Sequence, residues 1–92
     1  MRDDEFEWDD EKAARNFDKH RVTFELARAA FHDPHSIDRE DPDPDEERYS
    51  RLCRLDHRVF VVVWTKRGKR VRIISARSAT KHEQQACFRQ EA

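Results

Sequence analysis

The stretch Val59–Arg77, VFVVVWTKRGKRVRIISAR, decides the fold. It reads as two apolar strands, Arg58–Thr65 and Val71–Ser75, joined by a turn of Lys66, Arg67, Gly68 and Lys69. Val and Phe dominate the first strand, as expected of one buried on both faces in the middle of a sheet. Gly68, the one glycine of the chain, falls where a hairpin turn needs positive φ. The apolar residues predict a platform and the arginines around them a working surface.

Working outward, Tyr49, Leu52 and Leu55 signal a preceding strand and Asp56-His57 a tight turn, so three strands form a meander. Downstream, Ser78 or Thr80 caps a last helix, and Thr80-Lys81-His82-Glu83 has the capping-box pattern. At the start of the chain, Phe6 and Trp8 alternate with Glu5 and Glu7 as in a half-buried strand. Asp9 or Asp10 then caps a helix over Glu11–His20. Ala13, Phe17 and His20 share one face of it, with Lys12, Asn16 and Lys19 on an adjacent one. Thr23 caps a second helix striped by Phe24, Ala27 and Phe31 and ended by Asp33-Pro34. Residues 33–47 are acidic, hold all three prolines and read as a loop. The layout is β-α-α-β-β-β-α, an antiparallel sheet packed against helices, of the α+β class. It forms one domain over residues 1–92.

Composition bounds this further. With 36% hydrophobic and 42% charged residues, the core must be small. Residues 1–47 carry 7 Lys/Arg against 17 Asp/Glu, and residues 48–92 carry 12 against 3. The halves therefore differ as −10 and +9, which suggests a polyanion-facing half unless the two interleave in space. Cys53 and Cys87 are widely separated and form no CxxC, as expected of reduced thiols in a cytoplasmic protein. No apolar run approaches the roughly 18–20 residues that span a bilayer, and the acidic N-terminus argues against export. His32, Asp33, His35 and Asp38 crowd one loop but fit no standard zinc spacing, and a single glycine cannot build a phosphate loop. Neither metal nor cofactor is expected.

Several strings occur in an ordered series: Phe6-Glu7-Trp8-Asp9; Lys12, Asn16 and Lys19-His20; Val22 through Phe31 with Asp33-Pro34; Glu46-Glu47-Arg48; and Arg72-Ile73-Ile74-Ser75-Ala76-Arg77 followed by Ala79 and Glu83. Together they resemble the BrnT family, bacterial type II toxins with a RelE-like fold. The sequence departs from that pattern at Arg21 and Cys53, where glycines are common, and at Cys87, where a tyrosine is usual. The resemblance implies a ribonuclease toxin that arrests translation. Its partner would be a small BrnA-type antitoxin with a ribbon-helix-helix DNA-binding domain, in a toxin–antitoxin hetero-oligomer. Operator DNA would then be contacted only through the antitoxin.

Metal-independent RNA cleavage needs a base for the 2′-OH, cations for the phosphorane and an acid for the 5′-oxygen. Arg77 and Arg72 are the candidates for the cationic grip, since guanidinium forks match phosphate oxygens and stay charged. They differ by five positions, so strict alternation puts them on opposite strand faces unless the strand breaks near Ser75-Ala76. Either could instead be salt-bridged, to Glu83 or to the acidic half. His20 is the acid/base candidate because imidazole titrates near neutrality, although it could equally cap carbonyls or pack beside Phe17. Glu83 and Glu47 are alternative bases. Lys19, Arg48, Lys66 and Arg67 are candidates for substrate binding, and Arg51, Arg54 and Arg58 could extend a backbone-binding stripe. Trp8 and Trp64 could stack on a base or belong to the core. The alternative to an enzyme is a non-catalytic module that binds nucleic acid or protein through its charged surfaces.

Overall fold

In the computed structural model, which describes residues 1–91 and the side chains of residues 1–86, Val59–Arg77 is a long hairpin at the centre of a five-stranded sheet. The elements are β1 (Phe6–Glu7), α1 (Asp10–His20), α2 (Phe24–Phe31), β2 (Ile37–Asp41), β3 (Arg48–Leu55), β4 (Arg58–Arg67), β5 (Arg70–Ser78) and α3 (Lys81–Glu91). The order across the sheet is β1-β5-β4-β3-β2. Every neighbouring pair is antiparallel except β1, which lies parallel to β5 through Phe6–Val71 and Glu7–Arg72. The α+β class is as expected, with the sheet mixed at this one edge. Cys87 lies outside the described side chains.

Residues 37–41 correct the loop expected over 33–47, because they form the edge strand β2. Asp-Arg-Glu-Asp has no apolar alternation to announce a strand. Its pairing is held instead by charges across the ladder, with Asp38 opposite Arg51 and Asp41 opposite Arg48. The Arg51 guanidinium grips both Asp38 oxygens at 2.9 and 2.8 Å. An edge strand can be this polar because it has one neighbour to satisfy and gains protection from its charges.

One sheet face is covered by α1 and α2. Phe60, Val62, Ile73, Ala76, Cys53 and Phe6 of the sheet meet Val22, Phe24, Ala27, Ala30 and Phe31 there, all buried. Phe6 stands edge-on to Phe31 at 5.4 Å and Trp8 edge-on to Phe24 at 5.7 Å, the favoured aromatic geometry. Trp8 is buried and Trp64 is half-buried between Phe31 and Tyr49, so both tryptophans pack within the fold. On the opposite face a smaller cluster of Val59, Val61 and Ala79, with Leu52, lies where α3 crosses the sheet.

The Asp9 carboxylate caps α1 by accepting the Lys12 N–H at 3.0 Å, and Thr23 caps α2 by accepting the Leu26 N–H. The face α1 buries differs from expectation. Phe17 is 39% exposed under the Arg21 guanidinium, whereas Asn16 is only 8% exposed. The reason is that α1 packs against the open edge of β5, where strand amides and carbonyls need polar partners. At the C-cap of α1, Arg21 adopts φ 58°, the left-handed region that glycine occupies without penalty. Replacing Arg21 with glycine is expected to stabilise the fold by about 1 kcal/mol, less whatever its contact with Phe17 contributes. In a domain of this size that raises the melting temperature by roughly 4–8 °C. An unchanged or lower melting point would show that the Phe17 contact outweighs the backbone strain.

Candidate active site

The arginines of β5 share a face because the strand carries a bulge. Val63 pairs with Ser75 and Trp64 with Ile73, so Ile74 is an extra residue in the ladder. Alternation counted from Arg72 is thereby reset before Arg77. Arg72 lies opposite Thr65 and Arg77 opposite Val61, and these β4 residues point to one side because side chains alternate with period two. Both arginines stand on the α3 side of the sheet, about 13 Å apart along the strand.

Arg77 is held end-on by Glu83: Nη1 and Nη2 donate to its two carboxylate oxygens at 2.8 and 2.9 Å. Glu83 also accepts the Thr80 N–H at 2.8 Å while the Thr80 hydroxyl accepts the Glu83 N–H at 3.2 Å, completing the expected capping box. The Arg77 hydrogen bonds above all, and then that of Thr80, pull the Glu83 carboxyl from 4.5 down to about 2 against the opposing effect of burial. The same contact raises the Arg77 pKa. A carboxylate so reluctant to take a proton is a poor general base, and the geometry makes Glu83 a buttress for Arg77. Because the folded pKa is depressed, this stabilisation is full above about pH 4.5 and is lost as pH falls towards 2. Both side chains are partly exposed, which limits the effect to about 1 kcal/mol. The urea midpoint of the wild type should fall across that window by more than that of Glu83→Gln; parallel curves would dissolve the coupling.

Arg72 is likewise paired, with Nη1 at 2.7 Å from the carboxylate of Glu7, its register partner on β1. Beyond Arg72, β1 gives out and α1 takes over the β5 edge. Asn16 Nδ2 donates to the Ala76 carbonyl at 2.8 Å and to the Val22 carbonyl at 3.0 Å, while its Oδ1 accepts the Ala76 N–H at 3.1 Å. Asn16 thus satisfies Ala76 as a neighbouring strand would, one residue before Arg77. Its residue type in the middle of a helix is the signal that reading α1 by apolar periodicity passed over. Beside it lies a shallow groove of about 210 Å³, lined by Lys12, Arg15, Asn16, Lys19, His20, Ile74 and Ser75. His20 and Lys19 are therefore brought to the bulge, on the far side of β5 from Glu83.

The remaining candidates are not gathered there. The Thr65 hydroxyl donates to the Glu47 carbonyl, which fixes Glu47 beside Thr65, four β4 residues from the partner of Arg77. The Tyr49 hydroxyl next to Glu47 has its pKa raised by that carboxylate. Lys66 and Arg67 are exposed at the end of β4, with Arg67 3.3 Å from Glu46. Arg48 is 2.8 Å from Asp43 and 3.6 Å from Asp41. Arg51 lies over the Phe31 ring and Arg58 over the Phe60 ring, so both leave the proposed stripe. The two charge halves interleave: carboxylates of residues 1–47 sit on Arg48, Arg51, Arg67 and Arg72. Of the crowded loop, His32 is 2.9 Å from Glu5, Asp33 accepts the His35 and Arg54 N–H groups, and Asp38 holds Arg51. Among the described residues no group of three or more His, Cys, Asp or Glu could hold a metal.

No helix among the described residues is long and apolar enough to cross a membrane. No curated protein matches the chain. The family described as "Ribonuclease toxin, BrnT, of type II toxin-antitoxin system" matches residues 8–83. That span opens on buried Trp8, takes in Asn16, the β5 bulge and Arg77, and closes on Glu83. By that match over most of its length, the chain belongs to the BrnT family of type II toxin–antitoxin ribonuclease toxins.

Proposed function

We propose that the protein is a metal-independent endoribonuclease, acting in the cytoplasm, whose cleavage of RNA arrests translation. The observation that carries this reading is the Ile74 bulge, which puts Arg72 and Arg77 on one face with Arg77 held in a fixed orientation by Glu83. A bidentate carboxylate uses two of the five guanidinium N–H groups and leaves others to meet phosphate oxygens. In the reaction the 2′-oxygen attacks phosphorus and gives up its proton, the bond from phosphorus to the 5′-oxygen breaks, and that oxygen is protonated. The products are a 2′,3′-cyclic phosphate and a 5′-hydroxyl. Arg77 stabilises the charge of the phosphorane and Arg72 steadies the adjoining backbone. His20 is the proton-transfer group by its chemistry, serving a phosphate that lies across the open edge of β5 with His20 on the α1 side and Arg77 on the α3 side. Glu83 acts through Arg77 as a positioning residue. Glu47, Arg48 and Arg67 are peripheral, because each lies at the other end of the sheet or on an acidic partner. Lys66 contributes at most a distant contact.

Family membership supports neutralisation by a BrnA-type ribbon-helix-helix antitoxin in a hetero-oligomer, with operator DNA reached only through that partner. Purified protein incubated with a defined RNA in excess EDTA tests the enzymatic reading. Cleavage products ending in cyclic phosphate are expected. Salt-dependent binding of intact RNA with no products would instead make the chain a binding module.

A further inference from the structure

We propose that the groove between α1 and the open edge of β5 is a track for the RNA backbone, with Lys12, Arg15 and Lys19 each meeting a phosphate as the strand approaches the arginine face. This rests on RNA being the substrate. Three observations carry it.

First, the groove gathers three cations that the fold leaves largely unpaired, whereas the other unpaired ones among the described residues, such as Arg39, Lys66 and Lys69, lie outside its lining. Arg28, Arg48, Arg51, Arg67, Arg72 and Arg77 are all within salt-bridge distance of a carboxylate. Lys12 and Lys19 make no salt bridge among the described residues and Arg15 only a 3.8 Å one to the exposed Glu11, with the capping carboxylate of Asp9 acting on the charges of Lys12 and Arg15 through space alone. No carboxylate lines the groove.

Second, the spacing fits a polyanion. Residues 12, 15 and 19 recur at intervals of three and four, so they stack along one side of α1 over two turns, about 10.5 Å. A single phosphate would need a converging cluster; a row of cations along a groove suits a strand. Exposed lysines on long stems also reach a mobile strand without a preformed cage.

Third, the groove leads to the proposed chemistry. Its wall is the bulge itself, Ile74 and Ser75. By register with Val63, Ser75 lies on the same sheet face as Arg72 and Arg77, between them in sequence. A strand lying along α1 therefore crosses β5 at Ser75 and reaches both arginines.

The test uses the full chain and a 2′-O-methyl-modified RNA 12-mer, which cannot supply the attacking 2′-OH and so reports binding alone. Wild type and a Lys12→Gln/Arg15→Gln/Lys19→Gln variant are compared by fluorescence anisotropy from 50 to 300 mM salt. Glutamine keeps good helix propensity at these exposed sites, and a melting curve checks that the fold survives. At about 0.7 per phosphate for a single strand, the slope of log K against log salt should become shallower by about 2. An unchanged slope in a variant whose parent cleaves RNA overturns the track and leaves the enzymatic reading standing. A wild type that neither binds nor cleaves RNA overturns both. A polyglutamate of matched charge, run in parallel, separates nucleic acid from a protein partner: equal or larger loss for polyglutamate overturns the track in favour of an acidic protein segment.

Discussion

Replacing Arg77 by alanine is expected to lower RNA cleavage by about 10²–10³-fold while the protein stays folded. The magnitude is that of removing one preorganised group aimed at developing transition-state charge, about 3–4 kcal/mol in barrier height. Stability should change far less, because Arg77 is 40% exposed and its pair with Glu83 lies near the surface. Glu83 also keeps its capping hydrogen bonds to Thr80 when Arg77 is removed. Lysine should recover little of the loss, since a point charge can neither hold both Glu83 oxygens nor present a planar fork to phosphate. Glu83→Gln separates grip from buttress: it keeps the guanidinium but weakens the contact that aims it, so a smaller fall, mainly in kcat, is expected. Steady-state cleavage of one short RNA by the three variants, with melting curves alongside, checks the set. Alanine and wild type cleaving equally would remove Arg77 from the mechanism. A loss that merely tracks unfolding would reduce it to a structural residue.

How much of this was legible from the sequence follows from what each signal measures. The β4–β5 hairpin was legible because Val-Phe-Val-Val-Val cannot be solvated and one glycine marks its turn, at φ 60° as required. The helix caps followed from local side-chain chemistry: Thr23 and the Thr80–Glu83 box are present as read, and of the two aspartates offered for α1 it is Asp9 that caps. Strand β2 was hidden because its pairing depends on Asp38 meeting Arg51 and Asp41 meeting Arg48, contacts that no local pattern encodes. The bulge was hidden for a related reason. Nothing in Ile73-Ile74-Ser75 requires an extra residue; the register of β4 does. The sequence could state the parity conflict between Arg72 and Arg77 and the break that would settle it, but not where that break falls. Charge segregation misled most: 17 acidic residues before position 48 suggested a separate surface, yet several lie folded onto the arginines that follow. Sequence distance is a poor proxy for electrostatic distance in a sheet whose first strand pairs with its last.

Asn16→Ala is expected to have the largest effect on stability of any polar substitution discussed, about 3 kcal/mol or more. The side chain is nearly buried and makes three hydrogen bonds, to the Ala76 N–H, the Ala76 carbonyl and the Val22 carbonyl. Alanine removes all of them at once and gives none of the abandoned groups a new partner in the protein. Each unsatisfied buried polar group costs roughly 1–3 kcal/mol, with water entering from the adjacent groove offsetting part of the sum. A loss of about 3 kcal/mol is a large share of the total stability of so small a domain and should lower its melting temperature by more than about 12 °C. Asn16→Asp is the sharper variant. It preserves size and the acceptor for the Ala76 N–H, but sets a carboxylate oxygen against two carbonyls where an amide had donated. It should therefore be at least as destabilising near neutral pH and recover partly in acid, where a protonated carboxyl again supplies one donor. Urea titrations of the three proteins at pH 7 and pH 4.5 read both effects. Hydrogen exchange at the Ala76 amide locates the lesion at the bulge. Should Asn16→Ala melt within a few degrees of wild type with that amide still protected, α1 does not hold the β5 edge. The alignment of Arg77 would then have to come from Glu83 alone.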